Sequence, residues 1–471
     1  MQCQPEQLVT DGQPDQGFAP VRTLAVIVRH VLSTVWLLCL VHAGIGCSAD
    51  RGEPVAAVSL SPPNIILILV DDLGVEGIGC YGGDLVPTPR IDRLAAEGAL
   101  FTAAHTTPLC TPTRVRLMTG RGGLRNYVDF AILDPGEATF ATQLRAAGYA
   151  TGVTGKWQLT GRNLSQKAGL HNGSTPNGAG FDTWCLWQVG ARGSRYFDPL
   201  LEIDGVETSL KGKYGPDVFK DWAKDFMDKS RDQPFLLYYP MALPHDPFDG
   251  TPDSKPAPKG ETNAKRAQRH FQDMVAHIDK IVGELVDHAA SLGIADNTLV
   301  IFTTDNSHSG KVWLTAGGAP VFGSKEAPIE SGTHVPLIAY WPGQVAAGSE
   351  VHDLVDLMDL MPTVVEAGGA ALPTGVTIDG VSLLPRLTQG EPLGREALAF
   401  WYDPRPIGDD SDPVRWARSA THKLYDDGRL VRITAGDLEA PDTDPIQRAL
   451  LEEALARLPE PRIRVQPESG R

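Results

Sequence analysis

Asn64-Ile65-Ile66-Leu67-Ile68-Leu69-Val70 is an unbroken apolar run that stops at Asp71-Asp72. It shows no apolar-polar alternation, so neither face of such a strand is left to water. Runs of this kind belong to strands covered by helices on both sides. The two carboxylates therefore emerge at the strand's C-terminal end. Taken alone, an Asp pair after a strand is more often a turn or helix cap than a site, and its neighbours must decide.

The same grammar extends outward. Thr88-Pro89 reads as an N-cap with proline at the first helical position, and Ile91, Leu94 and Ala95 form an apolar face before Gly98 stops the helix. A helix over about Phe140 to Ala147 precedes a strand from Tyr149 to Thr154, which runs into Gly155-Lys156-Trp157-Gln158. Phe235 to Tyr239 is a further strand and leads to Pro244-His245. A long helix near 264–292 presents Phe271, Met274, Val275, Ile278 and Val282 on one side, while its His270, His277 and His288 read as surface residues. Thr298 to Thr304 is a buried strand ending in Asp305-Asn306, and Val335 to Trp341 is another.

Strands alternating with amphipathic helices define an α/β class. Polar clusters that directly follow apolar strands lie where an open α/β sheet presents a ligand crevice. Residues 61–375 read as the main domain, and Pro252 to Lys265 as an exposed loop near the site. After about residue 375 the alternation weakens. Short strands such as Ala397 to Tyr402 and Leu430 to Ile433 predict a small antiparallel α+β subdomain over 376–458, followed by a disordered tail over 459–471.

The chain has 471 residues, 42% hydrophobic and 21% charged, which fits a globular protein. Net charge is 42 − 58 = −16, so no overall basic field exists to hold nucleic acid or an anionic membrane. Six cysteines, at positions 3, 39, 47, 80, 110 and 185, are too few for a disulfide scaffold. Cys80 and Cys185 read as buried structural thiols. Residues 1–47 carry Arg22 and Arg29, then an apolar run from Val31 to Val41, then small residues at cleavage-site spacing. That is an export signal, too short to span a bilayer comfortably. Gly46-Cys47 also resembles the end of a bacterial lipobox, with Gly44 where leucine is preferred, so a lipid anchor at Cys47 is the second reading. The expected location is periplasmic, extracellular or lipid-anchored at the cell surface.

Cys110-Thr111-Pro112-Thr113-Arg114 sets a lone cysteine one helical turn before an arginine. The stretch resembles the C-x-P-x-R signature of the formylglycine-dependent sulfatases, arylsulfatase-like members of the alkaline-phosphatase-like superfamily. The resemblance covers most of residues 61–345, with the motifs in family order. It implies a doubly wound mixed sheet flanked by helices. It also implies a sulfuric ester hydrolase whose Cys110 is oxidised to Cα-formylglycine by a formylglycine-generating enzyme, a transient partner. One hydroxyl of the aldehyde hydrate would attack sulfur, the alcohol would depart, and the second hydroxyl would lose a proton to expel sulfate.

On the same resemblance, Asp71, Asp72, Asp305 and Asn306, with position 110, match the family's divalent-cation site. Their oxygen-only shell suits Ca²⁺ or Mg²⁺ and not zinc. Arg114 would hold the hydrate and offset its charge. Lys156 and Lys325 match lysines that clamp sulfate oxygens, and His245 matches the histidine that protonates the leaving alkoxide, with Lys325 as its companion. Two positions depart from the pattern. Gln158 stands where relatives carry the histidine of G-K-W-H, and an amide cannot accept a proton at useful pH; His308 is the candidate substitute base. Ser331-Gly332-Thr333-His334 stands where relatives more often carry Gly-x-Arg, so His334 is not assigned a catalytic role. Both variants resemble a bacterial subset.

Trp184, Trp187, Arg192 and Arg195 could supply stacking and anion contacts to a sulfated glycan, against the plainer reading of core tryptophans and surface arginines. The expected substrate is a sulfated small molecule or glycan. The alternatives are a phosphonate or phosphate ester hydrolase of the same superfamily, and a catalytically impaired protein that binds sulfated glycans.

Overall fold

The computed structural model describes residues 62–161, 172–406 and 412–460. The export signal and lipid anchor expected over residues 1–47, and positions 461–471 of the expected tail, lie outside the described residues. Among the described residues no helix is long and apolar enough to cross a membrane.

Strand β1 (Asn64–Val70) lies inside a ten-stranded mixed sheet. All seven of its residues are buried because the side chains divide between two cores. Ile65, Leu67 and Leu69 enter one, and Ile66, Ile68 and Val70 the other. This accounts for the missing alternation, and each such side chain contributes about 1.5–3 kcal/mol on full burial. Strands β2 (Ala150–Lys156), β3 (Phe235–Pro240) and β4 (Thr298–Thr304) run parallel with it in the order β4-β1-β3-β2. Leu337–Tyr340 pairs antiparallel with β4, so the sheet is mixed. The polar segments after β1, β4 and β3, and Lys156 at the end of β2, therefore share one edge.

Helix α1 (Cys110–Thr119) covers one face and α2 (Asn263–Ser291) the other. All ten residues of α1 are buried, including Arg114 and Arg116. Pro112 is tolerated in its first turn because the proline's missing N–H would have had no intrahelical partner there. Arg116 is satisfied by Asp356, with Nε and Nη2 donating over 2.7 and 2.5 Å. At the end of β2, Gly155 has φ +121, and a Cβ there would stand 2.0 Å from the Pro240 carbonyl oxygen. Only glycine allows β2 and β3 to approach so closely just before Lys156.

The C-terminal part forms a five-stranded antiparallel sheet that begins with β5 (Leu398–Tyr402). Buried ionic contacts tie it to the main sheet's loops. Arg418 donates to Glu330 Oε1 over 2.9 and 2.6 Å. His334 Nδ1 lies 2.7 Å from Asp437 Oδ2 and its ring stacks on His105, 5.1 Å between centroids.

Several local expectations need correction. His277 is buried, not a surface residue, because Asp217 Oδ1 meets its Nε2 at 3.0 Å and supplies the polar partner that burial demands. Cys80 is only half-buried, whereas Cys185 is fully buried. The Thr88 hydroxyl does not cap the helix at Pro89; it accepts from Gly79 N and donates to Asp92. Asn263 to Lys265 already belong to α2, which the Thr262 side chain caps by accepting from Lys265 N.

Candidate active site

The strand ends deliver their side chains to one buried cluster. Pairing continues one residue beyond the strands, since Asp305 N donates to Val70 O and Asp71 N to Leu243 O, both at 3.0 Å. Asp71, Asp305 and Cys110 thereby bring one ligand atom each to within 4.8 Å of one another. Asp72 adopts φ +66, its backbone N–H donating to Asp305 Oδ1 over 3.0 Å while its Oδ1 accepts from Asn306 Nδ2 over 2.8 Å.

Each carboxylate has a cation. Arg114 donates to Asp305 Oδ2 through Nε and Nη2 over 3.0 and 2.8 Å, and reaches Asp71 Oδ1 at 3.3 Å. Lys156 Nζ donates to both oxygens of Asp71 at 2.9 Å. Lys325 Nζ donates to Asp72 Oδ2 over 2.6 Å and lies 3.1 Å from His245 Nε2. Burial alone would raise Asp71, but Lys156, His245 and Arg114 hold its carboxyl well below the usual range. Burial and the charge of Asp71 push Asp305 upward. Burial also raises the Cys110 thiol. The unmodified sulfur is therefore no ready nucleophile.

Cys110 is the floor of the site at 1% exposure, while the side chains of His245 and Lys325 retain 19% and 16% at its mouth. Gln158 is half-buried with φ +52, and the Cys110 thiol donates to its Oε1 across 3.9 Å. Asp71, Asp72, Cys110, Arg114, Lys156, Gln158, His245, Asp305, Asn306 and Lys325 are thus gathered here. His308 belongs elsewhere: it stacks on Phe271 at 5.5 Å and its Nδ1 lies 2.9 Å from Glu76, and no described contact joins it to Cys110 or Gln158.

Arg195 is the main contact that the favoured sequence reading missed. It is buried, not a surface arginine, with its guanidinium 4.5 Å from the Trp187 ring and Nη2 2.9 Å from His245 Nδ1. The available signal was the run of tryptophans and arginines around it. Arg192 is exposed, Trp187 is buried and Trp184 is partly buried.

The cluster also passes a test for a hard cation. Asn306 Oδ1 is buried and has no hydrogen-bond partner, although Nδ2 of the same amide is satisfied by Asp72 and Ser307. An oxygen left in that condition, beside three carboxylates, suits a divalent ion with oxygen ligands.

Comparison with known proteins agrees with this geometry. A sulfatase family model matches residues 63–370. Human arylsulfatase A is 34% identical over 369 residues, 72% of this chain and 70% of that protein. Human N-acetylgalactosamine-6-sulfatase is 32% identical over 383 residues, 72% of this chain and 68% of that one. The crystal structure of Ps i-CgsB, also solved with k-i-k-neocarrahexaose, superposes with a TM-score of 0.69 at 26% identity over 84% of this chain and 91% of that chain. With the cysteine, the acidic cluster and the lysines on one sheet edge and the family match spanning them all, the chain belongs to the sulfatase family, a sulfuric ester hydrolase of alkaline-phosphatase-like fold.

Proposed function

We propose that this enzyme is exported and removes sulfate from a sulfated carbohydrate, using a formylglycine made from Cys110 and one Ca²⁺ or Mg²⁺. The observation that carries this reading is the placement of Cys110 at the start of a wholly buried helix, with its sulfur beside Asp71 and Asp305. Asp71, Asp72, Asp305, Asn306 and position 110 would hold the ion. When present, the hydrated aldehyde would supply a nucleophilic oxygen and the cation would supply Lewis-acid polarisation of the sulfuryl group.

The protein's own groups do the rest. Arg114 and Lys156 brace the carboxylates, which fixes the floor before substrate arrives. Lys325 and His245 at the mouth receive the sulfate oxygens, and His245 delivers a proton to the departing alkoxide. Arg195 positions the His245 ring. Gln158 orients the group at position 110 without acting as a base. These fixed cations give an anionic ester a local destination on a chain whose net charge is −16. The relation to an N-acetylgalactosamine-6-sulfatase and to a structure solved with k-i-k-neocarrahexaose supports a sulfated sugar as substrate.

The test is mass spectrometry of the tryptic peptide Leu94 to Arg114 from protein co-expressed with a formylglycine-generating enzyme, followed by a sulfate-release screen on sulfated mono- and oligosaccharides. An aldehyde at position 110 together with released sulfate is expected. A persistent thiol, or aldehyde-bearing protein that binds sulfated sugars without releasing sulfate, would overturn the proposal.

A further inference from the structure

Four arginines are buried among the described residues, and three of them meet a carboxylate: Arg114 faces Asp305, Arg116 faces Asp356 and Arg418 faces Glu330. Arg195 does not. It is 6% exposed, yet no described carboxylate forms an ion pair with its guanidinium. Nη2 donates to Asp246 O and lies 2.9 Å from His245 Nδ1, Nε is buried without a hydrogen-bond partner, and no described bond uses Nη1. The carboxylate of Asp246 is already engaged. Its Oδ2 accepts from Lys311 Nζ over 2.6 Å, and its Oδ1 lies 3.2 Å from His245 Nδ1. A buried charge left without a counter-ion is costly and calls for an explanation.

The guanidinium is held in one orientation. It lies 4.5 Å from the centre of the Trp187 ring and 5.3 Å from that of Tyr196. Both rings are anchored, Trp187 Nε1 donating to Gly193 O and the Tyr196 hydroxyl to Ala242 O, each over 2.8 Å. Its place in the reaction follows from His245. The Nε2 side of that ring faces the carboxylate cluster, 3.6 Å from Asp72 Oδ2 and 3.1 Å from Lys325 Nζ, and the Nδ1 side faces Arg195. Arg195 therefore stands across the imidazole from the groups that receive the scissile sulfate. An anion bound there belongs to the alcohol half of the substrate, the half whose oxygen His245 protonates.

We propose that Arg195 binds a second anionic group, a sulfate or a carboxylate, on the alcohol half of the substrate, and so selects a doubly anionic sugar. This rests on the reading given above for Cys110 and His245, and narrows its substrate class. Either anion presents two oxygens to the free donors of the guanidinium, a geometry that the planar fork matches. Arg195 then has two tasks: Nη2 braces His245, and the remaining donors read the substrate.

The experiment measures kcat and KM for wild type, Arg195→Met and Arg195→Lys, each with verified formylglycine, on two matched pairs of substrates. One pair is nitrophenyl sulfate with and without a carboxylate on the ring; the other is disulfated and monosulfated N-acetylgalactosamine. In the pair that carries the fitting second group, wild type should prefer the doubly anionic member by about tenfold in kcat/KM, chiefly through KM. Arg195→Met should bring that ratio close to one, and Arg195→Lys, a point charge without the fork, should keep only part of it. Loss of the brace on His245 lowers kcat on both members alike, so the ratio reads the anion contact alone. Should Arg195→Met fail to fold, the ratios of wild type and Arg195→Lys decide. Equal kcat/KM of wild type on both members of each pair, or a preference that survives undiminished in the variants, would overturn this inference alone. Aldehyde-bearing wild type that releases no sulfate from any of these substrates would overturn the proposed function, and this inference with it.

Discussion

Gln158→His restores a histidine at the position where Gln158 now faces Cys110, and the structure sets what it should do. The backbone there has φ +52, a left-handed conformation in which histidine is among the better-tolerated side chains. Gln158 N donates to Gln188 O over 3.2 Å, a bond that does not depend on the side chain. The amide oxygen stands 3.9 Å from the Cys110 sulfur, and an imidazole of similar reach would meet the oxygens of the proposed formylglycine. A positioned general base contributes about 10²- to 10⁴-fold to proton transfer. Water serving as base in the wild type would recover part of this, leaving a gain of about tenfold, or 1.4 kcal/mol, in sulfate release. Stopped-flow kinetics on a chromogenic aryl sulfate separates the two steps. Wild type should show a burst of phenol followed by slow turnover. In Gln158→His the burst should shrink, kcat should rise about tenfold, and the rate should gain a rising limb near the ordinary histidine pKa of about 6.5. Loss of activity in a variant with full formylglycine content and wild-type melting would refute the reasoning, and would mean that the amide itself is required.

Chelator treatment should lower the melting temperature and added Ca²⁺ or Mg²⁺ should restore it, since an ion at a hundred times its Kd stabilises the fold by about 2.7 kcal/mol; Asn306→Leu should need more ion for the same effect, and a melting curve indifferent to chelator would exclude a bound cation. Arg418→Met leaves Glu330 fully buried without its main partner. It should cost about 3–5 kcal/mol in urea unfolding, and a loss below about 1 kcal/mol would mean that the pair does not tie the sheets together. His334 should make stability depend on pH. Burial alone would lower its pKa, but Asp437, helped by Glu330 and opposed by Arg418, raises it overall. A raised folded-state pKa means that this contribution is complete below about pH 6.5 and is lost as pH rises through the folded value. Asp437, whose net shift is downward, acts in the other direction, its contribution being lost in acid. The neighbouring His105 is held well below its ordinary pKa, first by burial and then by Arg418, and stays neutral. His334→Gln should flatten the alkaline side of the stability profile; an unchanged slope would remove His334 as its source.

Much of this protein is local in origin and was therefore legible in its residues. β1 announces itself because a strand buried on both faces cannot alternate, and the C-terminal sheet because its strands are short and follow the last alternating unit. The pentapeptide from Cys110 to Arg114 fixes the spacing of sulfur and guanidinium through one helical turn, and the clusters after the strands mark the sheet edge. What the tertiary structure decided is which of these local pieces meet. Sheet order places β4 and β3 on either side of β1, and this brings Asp305 and His245 to the Asp pair. Packing turns the His308 ring toward Glu76 and Phe271, with no described contact to Cys110 or Gln158, and gives Arg195 to His245. It also brings Tyr402 of the C-terminal sheet into the apolar cluster that holds Leu109 and Cys110. Hydrophobic pattern encodes how much of a residue is buried; the identity of its neighbour depends on chain topology, which couples positions far apart in sequence and leaves no local mark at either one.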